Sequence, residues 1–292
     1  MSELRYSYYP GCSLHASASE YDLSTREVFN ALGIGLDEVP DWICCGATPA
    51  HNVDELLSLS LCAKNLELAV QVPGDMAVAC AACFSRLKFT QHVLHENETK
   101  RRQVEKAIDA PVPLDRTVKH LLEILVHDLG VERLAAAVTK PLAGLKVACY
   151  YGCLLTRPPE VPQLDDCEDP TIMETMLHAA GAETVAWTHR MECCGANFTL
   201  SRPGVVLQLS NAILDSAKAA GADCIMVGCP LCHGNLDIRQ REIEGVYHRH
   251  YDMPVFYLTQ LMGLAFGIAP ERLGLDALIV SPVKLLRDKK LL

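Results

Sequence analysis

The chain has 292 residues, 50% hydrophobic and 21% charged, enough for one large domain or two of ordinary size and too apolar for a disordered chain. Its 26 Lys and Arg against 36 Asp and Glu leave a net charge of −10. That balance excludes a nucleic-acid or anionic-membrane surface as its main business, because both need concentrated positive charge.

In chain order, Tyr6–Tyr9 reads as a short strand and Glu20–Leu32 as a helix stopped by Gly33. Asn52 followed by Glu55 makes a capping pair that opens a helix through about Val72, and Met76–Ala79 is a short buried strand running into Cys80. Lys100-Arg101-Arg102 is a charged helix start. In the second half Leu145–Cys149, Thr184–Ala186 and Ile225–Val227 are the strand candidates, Val205–Ala220 is a helix, and His248-Arg249-His250 is a solvated turn. Short apolar strands alternating with helices predict an α/β protein of two pseudo-repeated half-domains. Each would be a small, mainly parallel sheet flanked by helices, with cysteine-rich loops at the strand ends.

Fourteen cysteines set this chain apart. The start, Met1-Ser2-Glu3-Leu4-Arg5-Tyr6, lacks the basic and apolar segments of an export signal, so the expected compartment is the cytoplasm. A disulfide framework is then a poor explanation for the thiols, and metal or redox chemistry a better one. The apolar stretch Val255–Ala269, broken by Thr259 and Gln260, is shorter than the roughly 20 residues of a membrane span.

The sequence is written twice. Tyr8-Tyr9-Pro10-Gly11-Cys12 returns as Cys149-Tyr150-Tyr151-Gly152-Cys153, an offset of 141 (153 − 12). Cys44-Cys45-Gly46 returns as Cys193-Cys194-Gly195 and Cys80-Ala81-Ala82-Cys83 as Cys229-Pro230-Leu231-Cys232, both offset by 149 (193 − 44 and 229 − 80). Further on, Val118-Lys119-His120-Leu121-Leu122 pairs with Leu258-Thr259-Gln260-Leu261-Met262 as helical segments, and Glu132-Arg133-Leu134 with Glu271-Arg272-Leu273. Pro141 and Gly144 punctuate the junction, which divides the chain into 1–140 and 141–292.

Each half therefore carries C–x(n)–C–C–G–x(34)–C–x–x–C, with n of 31 in the first (44 − 12 − 1) and 39 in the second (193 − 153 − 1). Five thiols per half is one more than a tetrahedral zinc site uses, and soft thiolate suits iron–sulfur chemistry. Adjacent cysteines face one site only in a tightly bent loop, which Gly46 and Gly195 permit, their backbone amides approaching sulfur. Cys62, Cys149, Cys167 and Cys224 have no cysteine counterpart in the other half and read as buried or incidental.

On these residues the chain resembles the double CCG-domain family, that of the heterodisulfide reductase B subunit. The likeness spans nearly the whole chain and includes the Tyr-Tyr-(Pro)-Gly-Cys openings; the second spacers are slightly shorter than the family's commonest value, equally in both halves. The resemblance implies two non-cubane 4Fe-4S clusters, one held by Cys12, Cys44, Cys45, Cys80 and Cys83 and the other by Cys153, Cys193, Cys194, Cys229 and Cys232. It implies a disulfide substrate between the clusters, each delivering one electron, with iron as the Lewis acid in place of a catalytic dyad. It also implies two partners from a heterodisulfide reductase complex, a ferredoxin-like C subunit and a flavin-bearing, iron–sulfur A subunit. No C–x–x–C–x–x–C–x–x–x–C run or G–x–G–x–x–G fingerprint occurs; Gly33-Ile34-Gly35 reads as a helix stop, so neither flavin nor nicotinamide is expected here.

Two other readings share the cysteine pattern: an electron-relay component of a lactate-, glycolate- or succinate-oxidising complex, and a zinc-structured scaffold without redox activity. His15, three residues after Cys12, and His233, directly after Cys232, are candidate proton donors to a departing thiolate. Arg86, Lys88, Arg190 and Arg202 flank the motifs and are candidate anchors for an acidic disulfide. The eight extra residues of the second half (39 − 31) fall in Arg157–Pro170, a rigid, acidic, proline-rich loop that reads as a gate to the cleft, a partner contact or a passive surface loop.

Overall fold

The computed structural model describes residues 4–47 and 49–292. Two four-stranded parallel sheets organise the chain. The first contains β1 (Arg5–Tyr9), β2 (Gly35–Glu38), β3 (Met76–Val78) and β4 (Val118–His120), in the order β2-β1-β3-β4. The second contains β5 (Lys146–Tyr150), β6 (Glu183–Thr184), β7 (Cys224–Val227) and β8 (Val255–Tyr257), in the matching order β6-β5-β7-β8. Helices cross between the strands and cover the sheets, so the inner strands β3 and β7 are buried along their whole length and read as unbroken apolar runs. The α/β architecture expected from the sequence, two small parallel sheets with cysteine-bearing loops at their strand ends, is the one observed.

Several elements differ in detail from the sequence reading. Strands β2, β4 and β8 were not expected; Gly35–Glu38 carries no apolar alternation, and Val118–His120 and Val255–Tyr257 are three-residue edge strands leading directly into helices. Asn52 does not open the second long helix. It lies in the short helix Ala50–Val53, and the carboxylate of the extended residue Asp54 accepts the Leu57 N–H at 2.7 Å to cap Glu55–Leu68. The late repeat also shifts. Met76 pairs with Val118 and Ile225 with Val255, so His120 is the structural counterpart of Tyr257, not of Gln260.

The two halves exchange their tails. The segments after β8, Leu258–Ala265 and Pro270–Leu273, pack on helix Ser19–Ala31 of the first half. The segments after β4, including Val131–Ala136, pack on helix Ile172–Ala179 of the second. Ser24 Oγ and Thr259 Oγ1 meet across this seam at 2.7 Å in full burial, and Ala265 C=O accepts the N–H groups of Thr139 and Lys140 at 3.0 and 2.9 Å. Among the described residues, no helix is long and apolar enough to cross a membrane.

Candidate metal centre

Both sets of five cysteines emerge at the carboxyl ends of the strands, where ligands of open parallel sheets bind. In the first half Cys12 follows β1, Cys44 and Cys45 lie on the loop after β2, and Cys80 and Cys83 bracket the start of helix Ala81–Glu96 after β3. The second half repeats this after β5, β6 and β7, with Cys229 and Cys232 at the start of helix Pro230–Leu236.

The opening tyrosine of each half fixes its paired-cysteine loop. Tyr9 Oη–H donates to Ile43 C=O at 2.8 Å, and Tyr150 Oη–H to Glu192 C=O at 2.6 Å, each carbonyl belonging to the residue just before the cysteine pair. Gly46 and Gly195 take positive φ (68° and 79°), and their N–H groups donate to Cys44 Sγ and Cys193 Sγ at 3.4 and 3.3 Å. Gly11 and Gly152 let the neighbouring thiol close in, since a Cβ there would stand 3.2 Å from Cys83 Sγ and 3.3 Å from Cys232 Sγ.

Within each half the thiols lie in pairs. Cys12 and Cys44 are 3.7 Å apart and Cys45 and Cys83 3.3 Å. Cys153 and Cys193 are 3.8 Å apart and Cys194 and Cys232 3.7 Å. Cys80 and Cys229 meet across the seam, each perturbing the other's ionisation through a side-chain hydrogen bond. All five thiols of the second set line one cavity of about 140 Å³, whose other wall includes Ala47, Ala81 and Ala82 of the first half.

Crowding sorts the thiols electrostatically. Hydrogen bonds from Cys44 and then Cys83 pull Cys45 down to about 5, and the bond from Cys153 pulls Cys193 down to about 6. Hydrogen bonds from Cys232 and Cys80 hold Cys229 well below the ordinary thiol range. Cys80 is pushed up by Cys229, Cys83 and Cys232 by their thiol neighbours, and Cys12 by burial. No Lys or Arg is found among the described residues lining the cavity. So many sulfurs can ionise together only against the positive charge of a metal. Five thiols, four of them in close pairs around one cavity, are one more than a tetrahedral zinc site uses and fit a polynuclear group.

Other sequence candidates lie elsewhere. His15 is exposed, 3.2 Å from Glu38 Oε1 and edge-on to Trp42. His233 is buried, stacks on Tyr257 and donates from Nε2 to Val255 C=O at 3.0 Å; burial lowers it to about 4, so it is neutral with that proton committed. Arg86 lies over Phe89 and Lys88 over Phe84, while Arg190 pairs with Asp169 and Glu174. Arg202 stands at the start of helix Pro203–Ala219, and none of these four lines the cavity. Cys149 and Cys224 are buried in β5 and β7, Cys167 lies in the inserted loop, and Cys62 Sγ sits 3.5 Å from Cys45 C=O beneath the first loop.

Two asparagines that sequence reasoning passed over also shape the loops. Buried Asn65 exchanges two 2.9 Å hydrogen bonds with the backbone of Ile43, and Asn235 donates to Cys194 C=O at 3.1 Å and to its Sγ at 3.5 Å. Neither position is matched in the other half, so the repeat gave no signal for them.

The cysteine-rich domain (CCG) family matches twice, at residues 6–88 and 147–237. The chain belongs to that family and, with two copies of the domain, is an iron–sulfur protein of the heterodisulfide reductase B type. It is 32% identical to the 8-methylmenaquinol:fumarate reductase membrane anchor subunit of Wolinella succinogenes, over 96% of this chain and 98% of that one. It is 29% identical to the B subunit of ferredoxin:CoB-CoM heterodisulfide reductase from Methanosarcina mazei, over 97% and 96%. A hypothetical protein from Helicobacter pylori shares the fold at 14% identity, with a TM-score of 0.77 over 96% of this chain and 53% of that one.

Proposed function

We propose that this chain carries the disulfide chemistry of a multi-subunit reductase. Two electrons from partner subunits, together with two protons, cleave the S–S bond of a small disulfide into two thiols, or the reverse. Cys12, Cys44, Cys45, Cys80 and Cys83 hold one non-cubane 4Fe-4S cluster in half 1–140, and Cys153, Cys193, Cys194, Cys229 and Cys232 hold the other in half 141–292. The observation that carries this reading is the cavity lined by all five thiols of one set and walled by Ala47, Ala81 and Ala82 of the other half.

When bound, the clusters supply single electrons and Lewis-acidic iron toward a departing sulfur. The chain's own part is to gather, orient and shield. The Gly46 and Gly195 amides donate to sulfur and favour its charged form, as hydrogen bonds to cluster thiolates do. Leu154, Phe198 and Leu231 help keep water from the cavity. His15 and His233 offer little to a departing thiolate, the first being paired with Glu38 and the second neutral and bonded to backbone. The electron donors are a ferredoxin-like partner and a flavin-bearing partner, the C and A subunits of the complex, on the cytoplasmic side.

The 32% identity to a component of a fumarate reductase favours a second reading, in which the same centres relay electrons without touching a disulfide. Iron and acid-labile sulfide analysis with EPR, on anaerobically purified protein titrated with thiols, separates the two. About eight irons and a signal that changes on thiol addition support disulfide chemistry. Iron with no thiol response supports the relay, and zinc without iron overturns both.

A further inference from the structure

The two thiol sets meet where β3 and β7 end, and one buried side chain spans that junction. His120 lies at the end of β4 with no exposed surface. Its Nε2 is 3.0 Å from Ala79 C=O and 3.2 Å from Gly228 C=O, while its Nδ1 accepts the Leu122 N–H at 3.3 Å. Two carbonyl acceptors at one nitrogen and a donor at the other define a neutral ring with its hydrogen on Nε2. Ala79 immediately precedes Cys80, and Gly228 immediately precedes Cys229. One N–H is therefore shared between the residues that introduce the C–x–x–C motifs of opposite halves. A single main-chain bond, Ala81 N–H to Gly228 C=O at 3.3 Å, supplements it. Gly228 is matched to the ring, because a Cβ there would lie 3.1 Å from His120 Cε1 and 3.5 Å from Nε2.

We propose that His120 is the positioning residue that sets the separation of the two cysteine centres, by holding Ala79 and Gly228 on one N–H. The proposal rests on the reading that each set of five thiols holds a one-electron centre. A two-electron reaction shared by two such centres needs them at a fixed separation, since electron exchange falls steeply with distance. Phe84, which packs edge-on against the His120 ring at 5.6 Å between centroids, holds it laterally.

The test uses the full chain purified anaerobically. His120→Leu keeps apolar bulk and removes both bonds, His120→Gln retains an N–H donor near the Nε2 position, and Gly228→Ala leaves the histidine but displaces its ring. The readouts are iron content, hydrogen exchange of peptides 79–84 and 228–233, and the mutual broadening of the two centres' EPR signals at equal reduction. His120→Leu and Gly228→Ala should exchange about tenfold faster in both peptides. They should also show altered broadening at unchanged iron, and His120→Gln should return both readouts toward the parent. Unchanged exchange overturns the proposal. Faster exchange with unchanged broadening also overturns it, leaving an ordinary core histidine. A parent protein without iron sinks the reading of the site, and exchange alone then decides whether His120 ties the motifs. If His120→Leu fails to fold, Gly228→Ala carries the comparison.

Discussion

Tyr21 of the first half lies flat against Tyr257 of the second, ring centroids 4.1 Å apart and planes within 9°. Both rings are buried, and the Tyr21 hydroxyl donates to Ala79 C=O at 3.1 Å, one residue from Cys80. The stack thus joins seam packing directly to the entrance of a cysteine motif.

Tyr257→Ala should cost roughly 3–5 kcal/mol of unfolding free energy, the range for deleting a buried aromatic ring. Tyr21→Phe keeps the ring and loses one hydrogen bond, so it should cost about 1 kcal/mol. Denaturant unfolding followed by tryptophan fluorescence checks both. Equal losses in the two variants would show that the stack is not what holds the seam.

The tyrosine–carbonyl ties should act half by half. Tyr9→Phe removes one tie on the loop before Cys44, where Asn65 still bonds Ile43, and Tyr150→Phe frees the loop before Cys193. Under a mild chelator each variant should drop from about eight irons per chain to about four, and the double variant should keep neither set. Iron analysis after gel filtration reads this out; parallel loss from both halves in either single variant would contradict it.

Substitution of cysteines should divide them into two classes. Cys45→Ser or Cys194→Ser should lose about half the iron. Cys62→Ser and Cys224→Ala should retain it, at a stability cost of about 1–3 kcal/mol for disturbing a buried site. Iron content beside denaturation midpoints distinguishes the classes, and loss of iron in Cys224→Ala would place that thiol among the ligands.

Stability should fall in mild acid through His120. Burial lowers it from 6.5 to about 4, against weak opposition from its bonds to Ala79 and Gly228 and from nearby Cys229. Between those values the unfolded chain binds the proton and the folded chain does not. The contribution is therefore complete above about pH 6.5 and is lost as pH falls toward 4, to a total of roughly 3 kcal/mol. Unfolding free energies of the parent and His120→Gln between pH 7 and 4 test this, and the variant should show the shallower dependence. Parallel curves would assign the acid sensitivity to other groups.

Much of the site was legible because its chemistry is written in spacing. The matched C–C–G–x(34)–C–x–x–C runs named the thiols that the fold gathers, and Gly46 and Gly195 announced the bent loops. Strands β4 and β8 were hidden because three residues cannot display a period, and β8 lay inside an apolar run that continues as helix. Asn52 and Asp54 both offer a cap near the same helix start, and only the extended backbone at Asp54 selects it. His120 was invisible as a cross-half tie because its partners are backbone carbonyls, which leave no trace in side-chain identity.

The exchanged tails restrict how a substrate can arrive. Because the helical segments after β8 cover Ser19–Ala31 and those after β4 cover Ile172–Ala179, the halves are interlocked like clasped hands. Prising them apart would strip packing from both at once, so clamshell opening is not an available route to the thiols. Entry must pass between the surface loops at the strand ends, and changes in the size of molecule admitted should map to those loops while the interlocked frame stays rigid.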